Sequence, residues 1–315
     1  MKKKIDAIVV GELNVDLILN RIEGFPEVGK EKLAGEMTLT LGSSSAICAS
    51  NLSSLGSKVS FLGKIGKDIF GDLVVESLAA SKVQTDLIIC DENTKTGATI
   101  VLNYDEDRAM ITHTGAMETL AITDIRPEKI ESARHLHFSS YFLQAGLRAD
   151  IIELFRMAKQ SGLTTSLDAQ WDPDEKWDLD LQAVLPFVDI FLPNQLELLY
   201  LTGQADLTSA LSYLKTAANV IVVKMGNEGS LLAFKDQLIR KPAFLNKEVV
   251  DAIGAGDSFN AGFIHKFLQG AAFTECQEFA NLTGAVSTTA AGGTSAFLPY
   301  ENFRKTAKDV FGYHL

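Results

Sequence analysis

Short apolar runs ending in glycine or a polar residue recur along the chain. The first covers 5–11, and similar runs lie at 59–65, 135–139, 163–168, 188–192 and Val220–Lys224. Runs of this length predict strands buried on both faces. Between them, 149–161 and 207–218 carry apolar residues at helical spacing. Strands alternating with helices predict βαβ units, hence an α/β fold with a mostly parallel sheet covered by helices on both faces. Two segments, 16–41 and 96–113, depart from this pattern. Each alternates polar and apolar residues around turn sequences ("FPEVGKE", "YDEDRA"), which predicts a small β flap projecting from the main sheet. With no internal repeat and no long linker, the expectation is one α/β domain over 1–315 with that flap as a lid.

Composition narrows the function more than the fold. The chain has 315 residues, 46% hydrophobic and 22% charged, enough for a large core. A net charge of −11 argues against a nucleic-acid surface. Lys2 to Lys4 precede the apolar "IDAIVV", but Asp6, Glu12 and Asn14 interrupt any signal-peptide core. No apolar run approaches the roughly 18 residues of a membrane span. Cys48, Cys90 and Cys276 are far apart and odd in number, which suits neither a disulfide framework nor a zinc set. A cytoplasmic protein that uses neither membrane nor nucleic acid is expected.

The chemistry concentrates in a few stretches. In "DAIGAGDSFNAGF", residues 251–263, Gly254, Ala255 and Gly256 run into Asp257 ahead of a helical pattern. A bare backbone at a helix start is an anion seat, and a carboxylate beside it is unfavourable unless it has a task there. The alternative is a tight turn with Asp257 as a simple N-cap. In "PNQLE", Asn194 and Glu197 follow a strand at a spacing of three. That is a capping box or an oxygen-rich seat for hydrated Mg2+ at the carboxyl end of a strand. Asn14 and Asp16, two apart after the first strand, share one face of an extended segment and suit polyol hydroxyls; a solvated loop is the alternative.

Other motifs are weaker. The small-residue stretch 41–56 reads as a closely packed helix whose start, Gly42 and Ser43, lets a ligand approach the backbone. "VKMGNEG" ends a strand in Lys224, Gly226 and Gly229, either a simple turn or a nucleotide-side loop. "GFPEVGKE" mimics a phosphate loop, but Glu31 replaces the hydroxyl residue and Pro26 sits inside, so it reads as a turn. His135 and His137 lack a third metal ligand and read as structural. Trp171 and Trp177 read as packing residues.

The order of these motifs resembles the ribokinase (PfkB) family of carbohydrate kinases over nearly the whole chain. "GELNVDLIL" is similar to the family's first strand with its substrate Asp, and "LGSSSAICASNLSSLGSKVSFLGKIGKDIFGD" to its substrate segment and following helix. "TGATIVLNYDEDRAMITHTGA" resembles the flap strands, "LPNQLE" the Asn-x-x-Glu motif, and "VVKMGNEG" the nucleotide loop. "DAIGAGDSFNAGF" resembles the C-terminal signature, and "GAVSTTAAGGTSAFLP" the final nucleotide-side segment.

The resemblance implies a ribokinase-like fold and an ATP-dependent kinase acting on a hydroxyl of a ribose-, fructose- or ketodeoxygluconate-like sugar. Asp257 would be the base, with the amides of Gly254, Ala255 and Gly256 stabilising the phosphoryl group. Asn14, Asp16, Gly42 and Ser43 would hold the sugar. Lys224, Gly226, Gly229, Asn281 and Gly293 would line the ATP side, and Asn194 and Glu197 would organise magnesium. ATP and Mg2+ are the implied cofactors, with room for a monovalent cation such as K+, and an exposed flap edge could pair in a homodimer.

Several positions depart from the family pattern. Ala252 stands where Thr is usual, Ser43 replaces the second Gly of a Gly-Gly pair, and Ile47 replaces a polar Asn. "DAQWDPDEKW" resembles the Asp-Pro-Asn-x-Arg stretch of fructokinase-like and ketodeoxygluconate-kinase-like members, with Gln170 and Asp172 near the expected Asn and Arg. Asp172 there argues against an acidic or phosphorylated substrate. A nucleoside kinase of the same fold is the first rival reading, and a non-catalytic sugar or nucleotide sensor is the rival from another class.

Overall fold

The computed structural model describes residues 3–104 and 107–315. Met1 and Lys2 of the basic start, and Asp105 and Glu106 of the expected "YDEDRA" turn, lie outside the described residues. In chain order the strands are β1 (Ile5–Val10), β2 (Asn14–Ile22), β3 (Ala34–Leu41), β4 (Val59–Gly66), β5 (Gln84–Asp91), β6 (Gly97–Tyr104) and β7 (Asp107–His113). They continue with β8 (Ala133–Ser139), β9 (Thr164–Asp168), β10 (Ile190–Phe191), β11 (Val220–Lys224), β12 (Ser230–Phe234) and β13 (Gln237–Lys241).

Nine of these strands form one sheet in the order β13-β12-β11-β10-β9-β8-β1-β4-β5. Its pairs from β5 through β11 are parallel, and β12 and β13 extend it antiparallel. Alternation along β1 shows why both faces are covered. Ile8 and Val10 enter one core with Leu154 and Phe155 of the Ile151–Gln160 helix. Ala7 and Val9 enter the opposite core with Cys48, Leu52 and Phe263, from the Ser44–Ser54 and Ala255–Leu268 helices.

The expected run 188–192 is a regular strand at only two residues, Ile190 and Phe191, although Leu192 N–H still donates to Leu167 O and Pro193 O accepts Lys224 N–H. The helix expected over 207–218 closes at Leu214.

The segments expected as a flap form a separate four-stranded sheet, β3-β2-β6-β7. β2 pairs with β6 in parallel, and β3 and β7 add antiparallel on either side. "GFPEVGKE" is the exposed β2–β3 connection, with Lys30 bonded to Glu27; it is a turn, as expected. Residues following β1, β9, β10 and β11 meet at the carboxyl edge of the parallel sheet, where ligands of open α/β folds bind. Among the described residues no helix is long and apolar enough to cross a membrane.

Candidate active site

Asp257 stands in the first turn of the Ala255–Leu268 helix and is 6% exposed. It is not the N-cap: that position is Gly254, at φ 74°. A Cβ on Gly254 would fall 2.8 Å from Gly293 Cα and 3.0 Å from Ile47 Cγ2, so this corner is closed to larger residues. Ile47, expected as a lost polar contact, packs against this loop and also presents an apolar surface to the cavity beside Asp257. The first N–H groups of a helix have no intrahelical acceptor. Here Ala255 N–H makes a long 3.3 Å turn contact with Ala252 O. Gly256 faces Lys224, whose Nζ would lie 3.7 Å from an added Cβ.

The Asp257 carboxylate points into a network that the sequence did not reveal. Its Oδ1 accepts from Gln170 Nε2 at 2.9 Å. The same nitrogen donates to Asp168 Oδ2 at 3.0 Å. Asp168, fully buried at the end of β9, also accepts from Lys224 Nζ at 2.7 Å and Asn260 Nδ2 at 2.5 Å. Burial first, then the Asp168 charge, push Asp257 up to about 8, against the pull of Lys224. Burial opposes the charge on Lys224, but Asp168, Glu197 and Asp257 more than offset it and hold the ammonium above its ordinary value.

Asn194 and Glu197 form a reciprocal capping box. Asn194 N–H donates to Glu197 Oε2 at 2.8 Å, and Glu197 N–H to Asn194 Oδ1 at 2.8 Å. Both side chains also line the cavity beside Asp257, so the motif is a cap placed at the site. Glu197 is 3% exposed, and burial followed by Asp168 raises it above the usual carboxylate range.

On the other wall, Asn14 Nδ2 donates to Asp16 Oδ1 at 2.9 Å and Thr99 Oγ1 at 3.1 Å. Burial pushes Asp16 up to about 6. Gly42 closes against this pair: a Cβ there would lie 2.2 Å from Asp16 Oδ1 and 2.5 Å from Asn14 Nδ2. Ser43 has two bonds of its own. Its Oγ donates to Glu12 O at 2.6 Å and accepts Ala46 N–H at 2.9 Å, which caps the Ser44–Ser54 helix. Glu12, noticed in the sequence only as an interruption of an apolar run, is 1% exposed and accepts from Ser45 N–H at 3.1 Å and from Ser45 Oγ.

These groups surround one cavity of about 500 Å³. The small sheet contributes Asp16, Thr99, Arg108, Met110 and Thr112 to its wall, and the main body contributes Leu143, Gln170 and Trp171. Trp171, expected as packing, is 44% exposed and edge-on to Trp177 and Tyr200, so one side is packed and the other faces the cavity. Asp172 does not reach it. Its carboxylate accepts the N–H groups of Asp174, Lys176 and Trp177 and organises the 172–177 turn. The expectation that Asp172 repels acidic substrates is therefore corrected: the lid contributes one acid, Asp16, and one cation, Arg108, to the cavity wall.

A second cavity, about 240 Å³, adjoins the first across Lys224, Ala252, Ala255 and Gly256. Gly226, Gly229 and Asn281 line it with Phe244 and Phe259. Gly229 (φ 92°) must be glycine, since a Cβ would fall 2.0 Å from Lys241 O. Asn281 Nδ2 donates to Pro242 O at 3.1 Å. Gly293 is not in this lining; its carbonyl accepts from Asn51 Nδ2 at 2.9 Å. Asp251 ties the two loops together, accepting from Ile253 N–H and Gly292 N–H.

His135 and His137 lie inside the β8–β9 region, bonded to Ser166 and held neutral by burial. No group of three or more metal-ligating side chains occurs among the described residues.

Comparison with known proteins identifies the family and the fold. Residues 4–299 match the model of the pfkB family carbohydrate kinases. The chain is 29% identical over 307 residues to a deoxyribokinase of Salmonella typhi, covering 95% of this chain and 98% of that protein. It is 28% identical over 235 residues to an uncharacterised sugar kinase of Archaeoglobus fulgidus, covering 74% and 92%. Among solved structures, an Arabidopsis thaliana ribokinase complexed with ribose and ATP superposes with a TM-score of 0.84 at 24% identity, over 98% of this chain and 99% of that one. A ribokinase-like protein of E. coli in complex with ATP and Mg2+ gives 0.83 at 22% identity, over 95% and 98%.

Proposed function

The chain belongs to the pfkB family of carbohydrate kinases, and from that premise we propose that it transfers the γ-phosphate of ATP to a hydroxyl of a small sugar seated in the 500 Å³ cavity, with Asp257 as the base. The observation that carries this reading is the position of Asp257 in the wall of the first cavity, next to Gly256, which lines both cavities, with its carboxylate bonded by a side-chain amide and not used as a helix cap. A purely structural cap has no reason to be held this way.

The residues present fit the implied cofactors. Gly226, Gly229 and Asn281 border a cleft with aromatic walls for the nucleotide, and the Gly254–Gly256 helix start and Lys224 offer donors and positive charge to its phosphates. Asn194 and the buried carboxylate of Glu197 supply oxygen atoms suited to the water shell of Mg2+. When bound, the ion neutralises charge on the phosphate oxygens. Asn14 and Asp16 orient the sugar through its hydroxyls. Asp257 accepts the proton of the attacking hydroxyl, and Lys224 pairs with the neighbouring Asp168. The small sheet acts as a lid that excludes water, since Asp16, Thr99 and Arg108 line the sugar cavity from it.

A coupled ADP-release screen of free sugars, sugar acids and nucleosides tests the reading. A sugar that drives ADP release well above the background is expected; release with no acceptor in the pool would sink it. A nucleoside acceptor is the second reading. It draws on the half-exposed Trp171, which gives a flat surface for a base, and on a 27% identical nucleoside kinase of Methanothermobacter thermautotrophicus.

Glu197→Gln separates the two roles of the capping box. Gln keeps the cap, so thermal stability should hold. The Mg2+ concentration for half-maximal activity should rise by about 10-fold or more, as for loss of a group supporting a metal site. An unchanged magnesium titration would leave only the cap.

The lid also supports a homodimer. Leu17, Leu39, Ile100 and Ile111 are in register across it, on the face away from Asp16 and Thr99. Met37 and Ile111 are 68% and 67% exposed there, an apolar sheet face that calls for a cover. A second copy of the same face is self-complementary. Light scattering should give a dimer mass for the wild type and a monomer mass for the Met37→Glu, Ile111→Glu double variant. A monomeric wild type at micromolar concentration ends this assignment.

A further inference from the structure

Gln170 is an unusual bridge. One amide nitrogen donates to two carboxylates, Asp257 Oδ1 at 2.9 Å and Asp168 Oδ2 at 3.0 Å. The amide cannot be turned over, because its oxygen would then face both carboxylates. Its backbone sits at φ 62°, a left-handed conformation that non-glycine residues rarely adopt. Its own N–H reaches Asp168 Oδ1 at 3.3 Å. Asp168 is in turn fixed by Lys224 and Asn260. The bridge is therefore anchored at its Asp168 end, and its remaining hydrogen is aimed at Asp257.

We propose that Gln170 is the positioning residue of the transfer: it clamps Oδ1 of Asp257, fixes the carboxylate plane, and leaves Oδ2 as the oxygen that takes the proton from the sugar hydroxyl. The inference deepens the kinase reading and rests on Asp257 being the base. The sequence offers no warning of it, since Gln170 and Asp257 are 87 positions apart. A clamp of this kind also favours the ionised carboxylate, because it donates to the charged form. The charged and titratable groups facing Asp257 are Asp168 from β9, Lys224 from β11 and Glu12 after β1. The Cys48 thiol of the Ser44–Ser54 helix feels the same charge. Lys224 and Gln170 support ionisation, and the two acids oppose it.

The test uses the whole chain without ligands, labelled at the aspartate side-chain carbonyl carbon, with Asp257 assigned by the resonance lost in Asp257→Asn. In Gln170→Leu, an apolar side chain without donors, the Asp257 titration midpoint should move up by about one unit or more. With D-ribose, 2-deoxy-D-ribose or D-fructose as acceptor, turnover should fall about 10-fold to 100-fold while KM for ATP stays within about twofold, the mark of lost alignment. Gln170→Glu, which replaces the donor by a third acid, should shift the midpoint further in the same direction and covers the case in which the Leu variant does not fold. A midpoint unmoved in the folded variant overturns the proposal, whatever happens to stability. If Asp257→Asn keeps wild-type turnover, the base assignment fails instead, and the midpoint shift still reports on the clamp alone.

Discussion

Asp257→Asn should leave a folded, nucleotide-binding protein whose turnover is lower by about 10²–10⁴-fold, the usual contribution of a general base. The geometry makes this substitution unusually clean. Asn Oδ1 can still accept from Gln170 Nε2, so the bridge to Asp168 survives. Gly254 caps the helix, so the cap is untouched. Burial and Asp168 hold the Asp257 carboxyl up near 8, so ionising it in this pocket is costly, and a neutral amide should keep or raise the melting temperature. The same shift sets the pH dependence. The base works only when ionised and its value is raised to about 8, so wild-type kcat/KM should climb as pH rises through that region and fall away below it. Asp257→Asn should lose this acid limb along with the rate. A variant that phosphorylates its sugar at the wild-type rate, with the limb intact, would remove Asp257 from the mechanism.

How far the sequence could be read depends on how local the physics is. β11 was legible to the residue, because Val220–Lys224 is a continuous apolar run closed by a charged residue. The two flap segments were legible as strands, though not their pairing: β2 joins β6 in parallel across more than eighty residues, and nothing in a local pattern specifies a partner. The same contrast holds in the site. Gly254–Asp257 and Asn194–Glu197 announce themselves because their geometry is contained within one helical turn. Asp168 looked like the end of a strand, and Asn260 like one more residue of a quoted motif. Their meeting spans 92 positions, and the Lys224–Asp168 pair spans 56. One signal was available: Asn260 lies three residues after Asp257, on the same helix face. Lys224, expected on the ATP side, does border that cleft, but its ammonium is bonded to Asp168 between the two cavities. Asp172 was misread for the opposite reason: its charge was visible, whereas its use by three backbone N–H groups of its own turn was not.

Gly42→Ala should damage sugar binding without unfolding the protein. The added methyl would sit 2.2 Å from Asp16 Oδ1, 2.5 Å from Asn14 Nδ2 and 2.6 Å from Asp16 Cγ. Contacts this short cannot persist, so something must move. The obstructing atoms are the ends of two side chains, not backbone, and Gly42 N–H can keep its 3.0 Å bond to Asn14 O. The side chains should therefore swing away, and the pair that would hold the sugar hydroxyls comes apart. Hydrogen bonds to a charged group contribute about 1.5–3 kcal/mol each. Losing one or two of them predicts a fall in kcat/KM of about 10-fold to 10⁴-fold, expressed mainly as a raised KM for the sugar. Asp16→Asn should reproduce only part of this loss, because an amide still accepts at one atom. Nucleotide affinity, measured by calorimetry, should be unchanged in both, since Gly42 and Asp16 lie away from the second cavity. If Gly42→Ala binds sugar normally, Asn14 and Asp16 are not the substrate's partners. If it loses sugar and nucleotide together, the methyl has disturbed the fold and not the grip alone.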